Sequence, residues 1–510
     1  MQIFARARIE KPEGDHGLKR VLGKWDLTAL GVGATIGAGI FASTGSAIAG
    51  GHEHVGAGPA IVVSLILTAI ACGFAALCYA EFAAMVPTAG SAYTYAYASL
   101  GEIVAWIIGW DLIIEYAIGN VAVAVSWSGY LVELLRMFDL HLPAWLITDG
   151  RTAAKAAAAV ADGTATPALK EIATAITSAP HIGSLAIIFN LPAAFIVCVI
   201  TAVLVRGVKE SARANTAMVG LKLAIVLVFI IVGAFYIKPE NYTAHGGFAP
   251  NGFKGIGTAA ALIFFAYIGF DAVSTAAEEA KDAKRDMPFA IIASLVICTV
   301  VYILVALVLS GAAPWNQLGT AEPMLTALSY AGGGDKVVSV ARFFVGIGAV
   351  IAMSSVLLVF QLGQPRIFFS MARDGLLPPW AAKVHPKYKT PHVTTILSGG
   401  FVAVLSSFTN IDEAVELTNI GTLFAFVLVA VGVIVLRVRE PDRPRPFRAP
   451  GAPWTPIIAA LSCIVLMAQL PLVTWIRFGV WLAVGAVIYF AYGYRHSRLR
   501  QTSARQDESS

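Results

Sequence analysis

The feature that most constrains this chain is a run of glycines inside an apolar segment long enough to cross a membrane. Residues 27–49 read LTALGVGATIGAGIFASTGSAIA, with Gly31, Gly33, Gly37 and Gly39 near the middle. An interior glycine weakens a helix by roughly 1 kcal/mol relative to alanine. An unpaired backbone group in hydrocarbon costs much more, so a helix that breaks here must bury its free backbone groups or expose them to a watery cavity.

A broken helix at mid-membrane offers free N–H groups to an anion and free C=O groups to a cation. A small molecule carrying both charges, such as an amino acid, fits that pattern, although the glycines alone are equally compatible with a close-packing face. A second apolar segment, residues 255–279, contains the interruption FAYIGF with Gly269, followed by Asp271. Matched interruptions in two halves of a membrane chain indicate a transporter's substrate site.

Composition sets the structural class. Of the 510 residues, 57% are hydrophobic and only 13% are charged, which excludes an ordinary soluble globular protein. Apolar runs of about 18 residues or more indicate membrane-spanning helices. We therefore predict an all-α polytopic membrane protein with twelve transmembrane helices, helix 1 to helix 12. The predicted spans are 27–49, 58–82, 101–127, 184–205, 214–237, 256–277, 288–311, 337–363, 392–408, 415–436, 454–473 and 477–494.

Positive charge predicts the orientation. Most of the 36 Lys and Arg residues fall in segments that share one side of the membrane if both termini are cytoplasmic. We expect a multi-pass protein of the cell (inner) membrane, surrounded by the lipid bilayer. The formal net charge of +5 then reflects topology, and no nucleic-acid partner is expected.

Three segments lie outside the predicted spans. Residues 1–26 form an expected cytoplasmic N-terminal tail, and residues 495–510 an expected disordered cytoplasmic tail. Residues 131–182 are rich in Ala and Thr and are expected to form an extracellular insertion with one or two surface helices. The five cysteines fall inside spans, which argues against a disulfide framework.

Several motifs together resemble a known superfamily. They are GVGATIGAGIF (31–41), GWDLIIEYA (109–117), FFAYIGFDAVSTAAEEAKDAKRDMP (264–288), RIFFSMARDGLLP (366–378) and ELTNIGTLFAFVLV (416–429). The chain resembles the amino acid–polyamine–organocation superfamily, and within it the bacterial branch of the cationic amino acid transporter family. The resemblance implies a 5+5 inverted repeat, residues 27–237 and 238–436, with broken helices 1 and 6. Residues 437–494 would form two accessory helices.

The resemblance also implies where substrate binds. In the family, the substrate's carboxylate and amine bind the unwound stretches of helices 1 and 6. The corresponding helix 1 residues are Thr35, Ile36, Gly37, Ala38 and Gly39, and those of helix 6 are Phe265, Ala266 and Ile268. Phe265 resembles the aromatic gate that closes over substrate, while an ordinary lipid- or core-facing role remains open.

Two further residues border the expected site. Glu115 lies four residues after Asp111, so both carboxylates share one face of helix 3. Acidic groups inside spans are costly and tend to be functional or paired. Glu115 either borders the substrate, where it would attract a cationic side chain, or serves as a structural hydrogen-bond partner. Met353 on helix 8 is expected to limit the depth of the side-chain pocket.

Lys222 is the most unusual single residue, because helix 5 is apolar for many residues after it. A long side chain can reach the membrane surface, which would make this lysine structural. In the resembled family, a lysine at this position stands where sodium-coupled relatives bind sodium. That resemblance implies a proton-coupling lysine, with Ser354 and Ser355 on helix 8 as candidate partners.

We therefore expect a secondary transporter that imports small to medium neutral L-amino acids with a proton by alternating access. A uniporter or exchanger of arginine, lysine or ornithine remains an alternative, as does a non-transporting amino acid sensor. The nine histidines include no HExxH motif and lie mostly in tails and loops. No enzymatic activity, catalytic residue, cofactor or metal is expected.

Overall fold

The computed structural model describes residues 22–500, except 52–53, 86–90, 164–166, 184, 208–211, 244, 272, 275–279 and 333. The described chain is predominantly helical. Its helices are α1 Lys24–Thr35, α2 Thr44–Ala49, α3 Ile61–Met85, α4 Ser91–Ser99, α5 Glu102–Arg136, α6 Gly150–Ala161, α7 Pro167–Ser178, α8 Leu191–Arg206, α9 Ala212–Ala234, α10 Gly252–Ile263, α11 Ala283–Ala312, α12 Pro323–Gly332, α13 Lys336–Arg373, α14 His392–Phe408, α15 Ile411–Arg439, α16 Trp454–Ala468, α17 Leu472–Ile488 and α18 Tyr494–His496. One hairpin pairs strands β1 His181–Ile182 and β2 Leu185–Ala186 antiparallel.

Among the described residues, seven helices are long and apolar enough to cross a membrane, and α1 with α2 forms a bent pair that makes an eighth. Four shorter apolar helices are Leu191–Arg206, Gly252–Tyr267, His392–Phe408 and Trp454–Ala468. Each of these elements coincides largely with one predicted span, although several are longer. α5 continues to Arg136, past the predicted end at 127 and into the predicted insertion, and α13 continues to Arg373, past 363. A polytopic helical membrane protein is therefore confirmed, whereas the count of twelve spans and the inverted repeat remain predictions.

Helix 1 is interrupted at the glycine run. α1 ends at Thr35, and Ile36 is extended, with φ −75° and ψ 99°. The chain resumes as a single π-helical turn over Gly39–Ser43, which leads into α2. The two halves meet at an angle of 42° because the helical hydrogen-bond ladder stops between them.

Helix 6 is interrupted as well. α10 passes into a 3₁₀ turn at Phe264–Tyr267, after which Ile268 is extended, with φ −60° and ψ 131°. Gly269 then adopts φ +120°, a conformation that a residue with a Cβ rarely tolerates. The glycine at position 269 thus explains why the chain can leave helical geometry after Tyr267 and turn away here.

The two longest helices, α5 and α13, interlock beside these breaks. A Cβ at Gly119 of α5 would lie 3.1 Å from the Phe360 ring, and a Cβ at Gly363 of α13 would lie 2.5 Å from the Tyr116 ring. Each helix therefore lacks a side chain where the other presents an aromatic ring, and the two rings pack edge to face at 5.6 Å. This contact holds one wall of the site in place.

The insertion contains two helices, α6 and α7. Asp149 caps α6 by accepting hydrogen bonds from the amides of Arg151 and Thr152, both at 3.0 Å. α6 and α7 bury a small alanine-rich cluster that includes Ala153 and Ala175. The segment is thus folded and has an apolar core of its own.

The start of the C-terminal tail is ordered, contrary to the expectation from sequence. Residues 495–500 were expected to belong to a disordered tail, yet Ser497 is 1% exposed and its hydroxyl donates to the Glu102 carboxylate at the start of α5. Arg500 pairs with the same carboxylate at 3.1 Å. A buried carboxylate requires such donors, and sequence alone did not reveal which segment supplies them. Residues 1–21 and 501–510 lie outside the described part.

Candidate functional site

The two helix breaks are in direct backbone contact. A Cβ at Gly39 would lie 2.2 Å from Ala266 Cα, and a Cβ at Gly269 would lie 2.8 Å from the carbonyl carbon of Ala34. Neither position has space for a side chain. The glycines therefore both interrupt helix 1 and let it pack closely against helix 6, so the two alternatives offered by the sequence coexist.

The backbone of residues 37–39 lies between two sets of helical hydrogen bonds. The amide of Ile36 makes the last bond of the first half, to Val32 O at 2.9 Å. The amides of Ile40 and Phe41 begin the second half with bonds to Gly37 O, both at 3.2 Å. Amides at the start of a half-helix carry partial positive charge. This part of helix 1 is suited to an anionic group.

Tyr302 of α11 bridges the carbonyls at the two breaks. Its hydroxyl lies 2.7 Å from Ala266 O and 3.0 Å from Thr35 O, and the side chain is fully buried. A hydroxyl carries one hydrogen, so it can donate to only one of these carbonyls at a time. Sequence reasoning missed Tyr302, because a single tyrosine in an apolar helix carries no signal of its partners.

Lys222 of α9 reaches helix 1. Its ammonium donates to Gly33 O at 2.6 Å, and the residue is 3% exposed. The side chain therefore bonds inside the bundle and does not extend to the membrane surface.

The two serines proposed as partners of Lys222 bond elsewhere. Ser354 donates to Val350 O at 2.8 Å and accepts from the Trp127 indole at 2.9 Å. Ser355 donates to Ala352 O at 3.0 Å. Both hydroxyls satisfy the backbone of their own helix, as serine commonly does, and the expected bond to the ammonium is replaced by the Gly33 carbonyl.

Two carboxylates line a cavity beside the break of helix 6, and a third lies one turn away on α5. Glu115 and Asp271 line one small cavity, together with Tyr116, Ile268, Gly269, Phe360 and Thr418. Asp111 is fully buried one turn from Glu115, and among the described residues neither of its oxygens has a hydrogen-bond partner. Glu115 Oε2 is likewise unbonded there. The Asp271 carboxylate accepts from the amide of Gly269 at 3.2 Å and so helps to hold the broken backbone.

The remaining predicted residues lie around the breaks. Phe265 and Ala266 are buried in the 3₁₀ turn of helix 6, and Met353 is buried on α13. Val356 of α13 faces helix 1 at the break, because a Cβ at Gly37 would lie 3.0 Å from Val356 Cγ2. Val356 is one turn after Met353 and was not anticipated from sequence.

The chain is similar to known proteins along nearly its whole length. A family model described as amino acid permease matches residues 22–491. The branched-chain amino acid permease BcaP of Bacillus subtilis is 46% identical over 97% of both chains, and the methylthioribose transporter of the same organism is 44% identical over 95% of both. The vacuolar cationic amino acid transporter 4 of Arabidopsis thaliana is 35% identical over 85% of this chain and 66% of its own length.

Proposed function

The chain belongs to the amino acid permease family, and we propose that it imports neutral L-amino acids together with a proton. Amino acid transport follows from family membership and from relatives that match it end to end. The substrate range and the coupling ion are our proposal. The observation that carries it is the pair of broken helices in backbone contact, joined through the Tyr302 hydroxyl.

The substrate would bind along the two breaks. Its carboxylate would accept hydrogen bonds from the amides of residues 37–39, and its ammonium would donate to carbonyls of Phe265, Ala266 and Ile268. An ammonium supplies three hydrogens, which complements the single hydrogen of Tyr302. Binding would therefore satisfy carbonyls that one hydroxyl cannot satisfy simultaneously, and both polar ends of the substrate would be matched by fixed backbone groups.

The residues around the breaks favour an apolar side chain. Ile36, Ile268, Met353 and Val356 are all buried there and offer no charge to a cationic substrate. The relative named as a branched-chain amino acid permease supports this assignment. Cationic substrates are the second candidate, since Glu115 lines the neighbouring cavity with one unbonded oxygen, and one relative is named as a cationic amino acid transporter.

Lys222 is the proposed proton carrier. Its ammonium donates a 2.6 Å bond to Gly33 O in helix 1, and a neutral amine could not donate as strongly as an ammonium. Loss of the proton would weaken the hold of α9 on helix 1, so protonation and the position of helix 1 would be linked. Movement of one charge through about 100 mV contributes about 2.3 kcal/mol.

Both termini would be cytoplasmic, with twelve spans arranged as two inverted five-helix repeats and two accessory helices. Helices 1 and 6 are the first helices of the two proposed repeats, and both are broken. Their equivalent positions support an inverted repeat.

Uptake into proteoliposomes tests the function. Purified protein should accumulate labelled leucine, isoleucine or valine when the outside is acidified, and accumulation should collapse when a protonophore is added. Arginine should compete poorly. Equal competition by arginine would favour the cationic alternative, and exchange without response to the pH gradient would overturn proton coupling. Binding without any transport would indicate a sensor.

A further inference from the structure

A short helix covers helix 1 beyond its break. We call α12 together with residues 318–322 the lid. A Cβ at Gly45 of α2 would lie 2.3 Å from Leu318 O and 2.8 Å from the Pro323 ring, so the lid rests directly on helix 1. Its Leu325 is 1% exposed. In the proposed orientation the lid lies on the extracellular side and must move before substrate can enter from outside.

The lid carries an acidic residue against α5. Glu322 directly precedes α12, and a Cβ at Gly129 of α5 would lie 2.9 Å from Glu322 Oε2. Glu133 is one turn further along α5. The Glu322 carboxyl is thus half-buried where the lid meets α5, on the same side of that helix as a second carboxylate.

The charges around Glu322 are already balanced without it. Glu133 pairs with Arg136 at 2.5 Å and lies 3.7 Å from Arg342, while Arg136 also pairs with Glu171 of α7 at 2.6 Å. The two positive charges of Arg136 and Arg342 therefore balance the two negative charges of Glu133 and Glu171. The outer halves of α9 and α11, which also pack against the lid, contain no Asp, Glu, Lys, Arg or His. An ionised Glu322 would leave this cluster one negative charge in excess.

Burial, reinforced by Glu133 and opposed by Arg136, raises the pKa of Glu322 to about 8. From the contact with α5 and the charge balance, we propose that Glu322 is a proton-binding site whose protonation holds the lid closed over helix 1. This proton site is separate from Lys222, which contacts the other half of helix 1, before the break. It would make opening of the lid sensitive to external pH whether or not Lys222 carries the coupled proton.

The position of the lid depends on pH because the pKa of Glu322 differs between the closed and the open lid. Glu322 has a raised pKa when the lid is closed and an ordinary one, about 4.3, when the lid lifts into water. Protonation of Glu322 therefore favours the closed lid. This preference decreases as pH rises from the open-state pKa to the closed-state pKa, and it no longer changes above about pH 8. Between pH 5 and pH 7, each unit should shift the equilibrium about tenfold toward the open lid.

A cysteine under the lid can report its opening. Leu325→Cys would be placed in a Cys198→Ser background, because Cys198 is exposed and the other four cysteines are buried. Labelling by a membrane-impermeant maleimide would be measured from pH 5 to 8.5. Each rate would be divided by that of Ser178→Cys, an exposed reporter in α7, which cancels the pH dependence of the thiol itself. Accessibility of Ser178→Cys from outside also checks the orientation independently of the lid.

We expect the normalised rate to rise about tenfold per pH unit between pH 5 and 7, about a hundredfold in all, and to level off near pH 8. Glu322→Gln, which mimics the protonated acid, should keep the rate low throughout. Glu240 is an exposed glutamate outside the lid, and Glu240→Gln should leave the pH profile of the Leu325→Cys reporter unchanged. Glu133→Gln removes a charge that raises the pKa of Glu322, so the rate should level off at a lower pH. A pH-independent rate in the parent, or an unchanged transition in both Glu322→Gln and Glu133→Gln, would overturn the proposal.

Discussion

The ammonium of Lys222 donates to the carbonyl of Gly33 at 2.6 Å, three residues before helix 1 departs from helical geometry at Ile36. The bond joins α9 to the half of helix 1 that precedes the break. A change in the charge of Lys222 therefore alters a bond to α1, and the C-terminal end of α1 forms part of the candidate substrate site.

Lys222→Met should abolish accumulation driven by a pH gradient, because methionine keeps an apolar stem but cannot carry a proton. A gradient of one pH unit is worth about 1.4 kcal/mol per proton, so the parent should reach about tenfold accumulation and the variant about none. Substrate binding should persist, since the proposed contacts come from helices 1 and 6. Lys254→Met, an exposed lysine at the start of α10, is the matched control. If Lys222→Met still concentrates substrate tenfold, Glu115 becomes the next carrier to test.

Gly37→Val should abolish transport while the protein remains in the membrane. The new Cβ alone would lie 3.0 Å from Val356 Cγ2, and the added methyl groups would occupy the position proposed for the substrate carboxylate. Uptake and substrate-induced thermal stabilisation should both disappear. Normal affinity in the purified variant would show that Gly37 serves packing alone.

Gly39→Ala should lower the stability of the protein, since its Cβ would lie 2.2 Å from Ala266 Cα and backbone atoms cannot rotate away. Overpacking of this kind costs roughly 1–3 kcal/mol, which should appear as a reduced melting temperature in detergent. Gly400→Ala provides the comparison, because a Cβ on α14 there meets nothing within 4 Å. It should be neutral or slightly stabilising. Equal melting temperatures for the two variants would refute the close approach of the breaks.

Tyr302→Phe should weaken substrate binding by about tenfold, or about 1.4 kcal/mol. Loss of the hydroxyl leaves the carbonyls of Ala266 and Thr35 without their shared donor, so the two breaks are no longer held in register. Tyr242→Phe is a suitable control. The Tyr242 hydroxyl donates to Leu307 O of α11, the helix that also carries Tyr302, but it does so away from the breaks. Equilibrium binding of labelled substrate compares the two. Indistinguishable affinities would remove Tyr302 from the site.

Much of the framework was predictable because its causes are local. A chain with this apolar content must bury its backbone hydrogen bonds in helices, and Gly37, Gly39 and Gly269 mark where two of those helices stop. α14 begins and ends at the residues predicted from hydropathy. The tail at 495–500 was misjudged, because its order comes from Glu102, nearly four hundred residues earlier.

What the sequence determined by itself is therefore the class of protein, the positions of the helix interruptions and the family resemblance that locates the substrate site. These depend on residue type and on neighbours along the chain. Only the tertiary structure decided that Lys222 meets Gly33, that Tyr302 bridges the two breaks, that Val356 faces Gly37 and that Ser354 bonds Trp127. Each of these contacts joins different helices, and in an almost uniformly apolar chain no local pattern marks which faces will meet. Close packing of whole helices makes that choice.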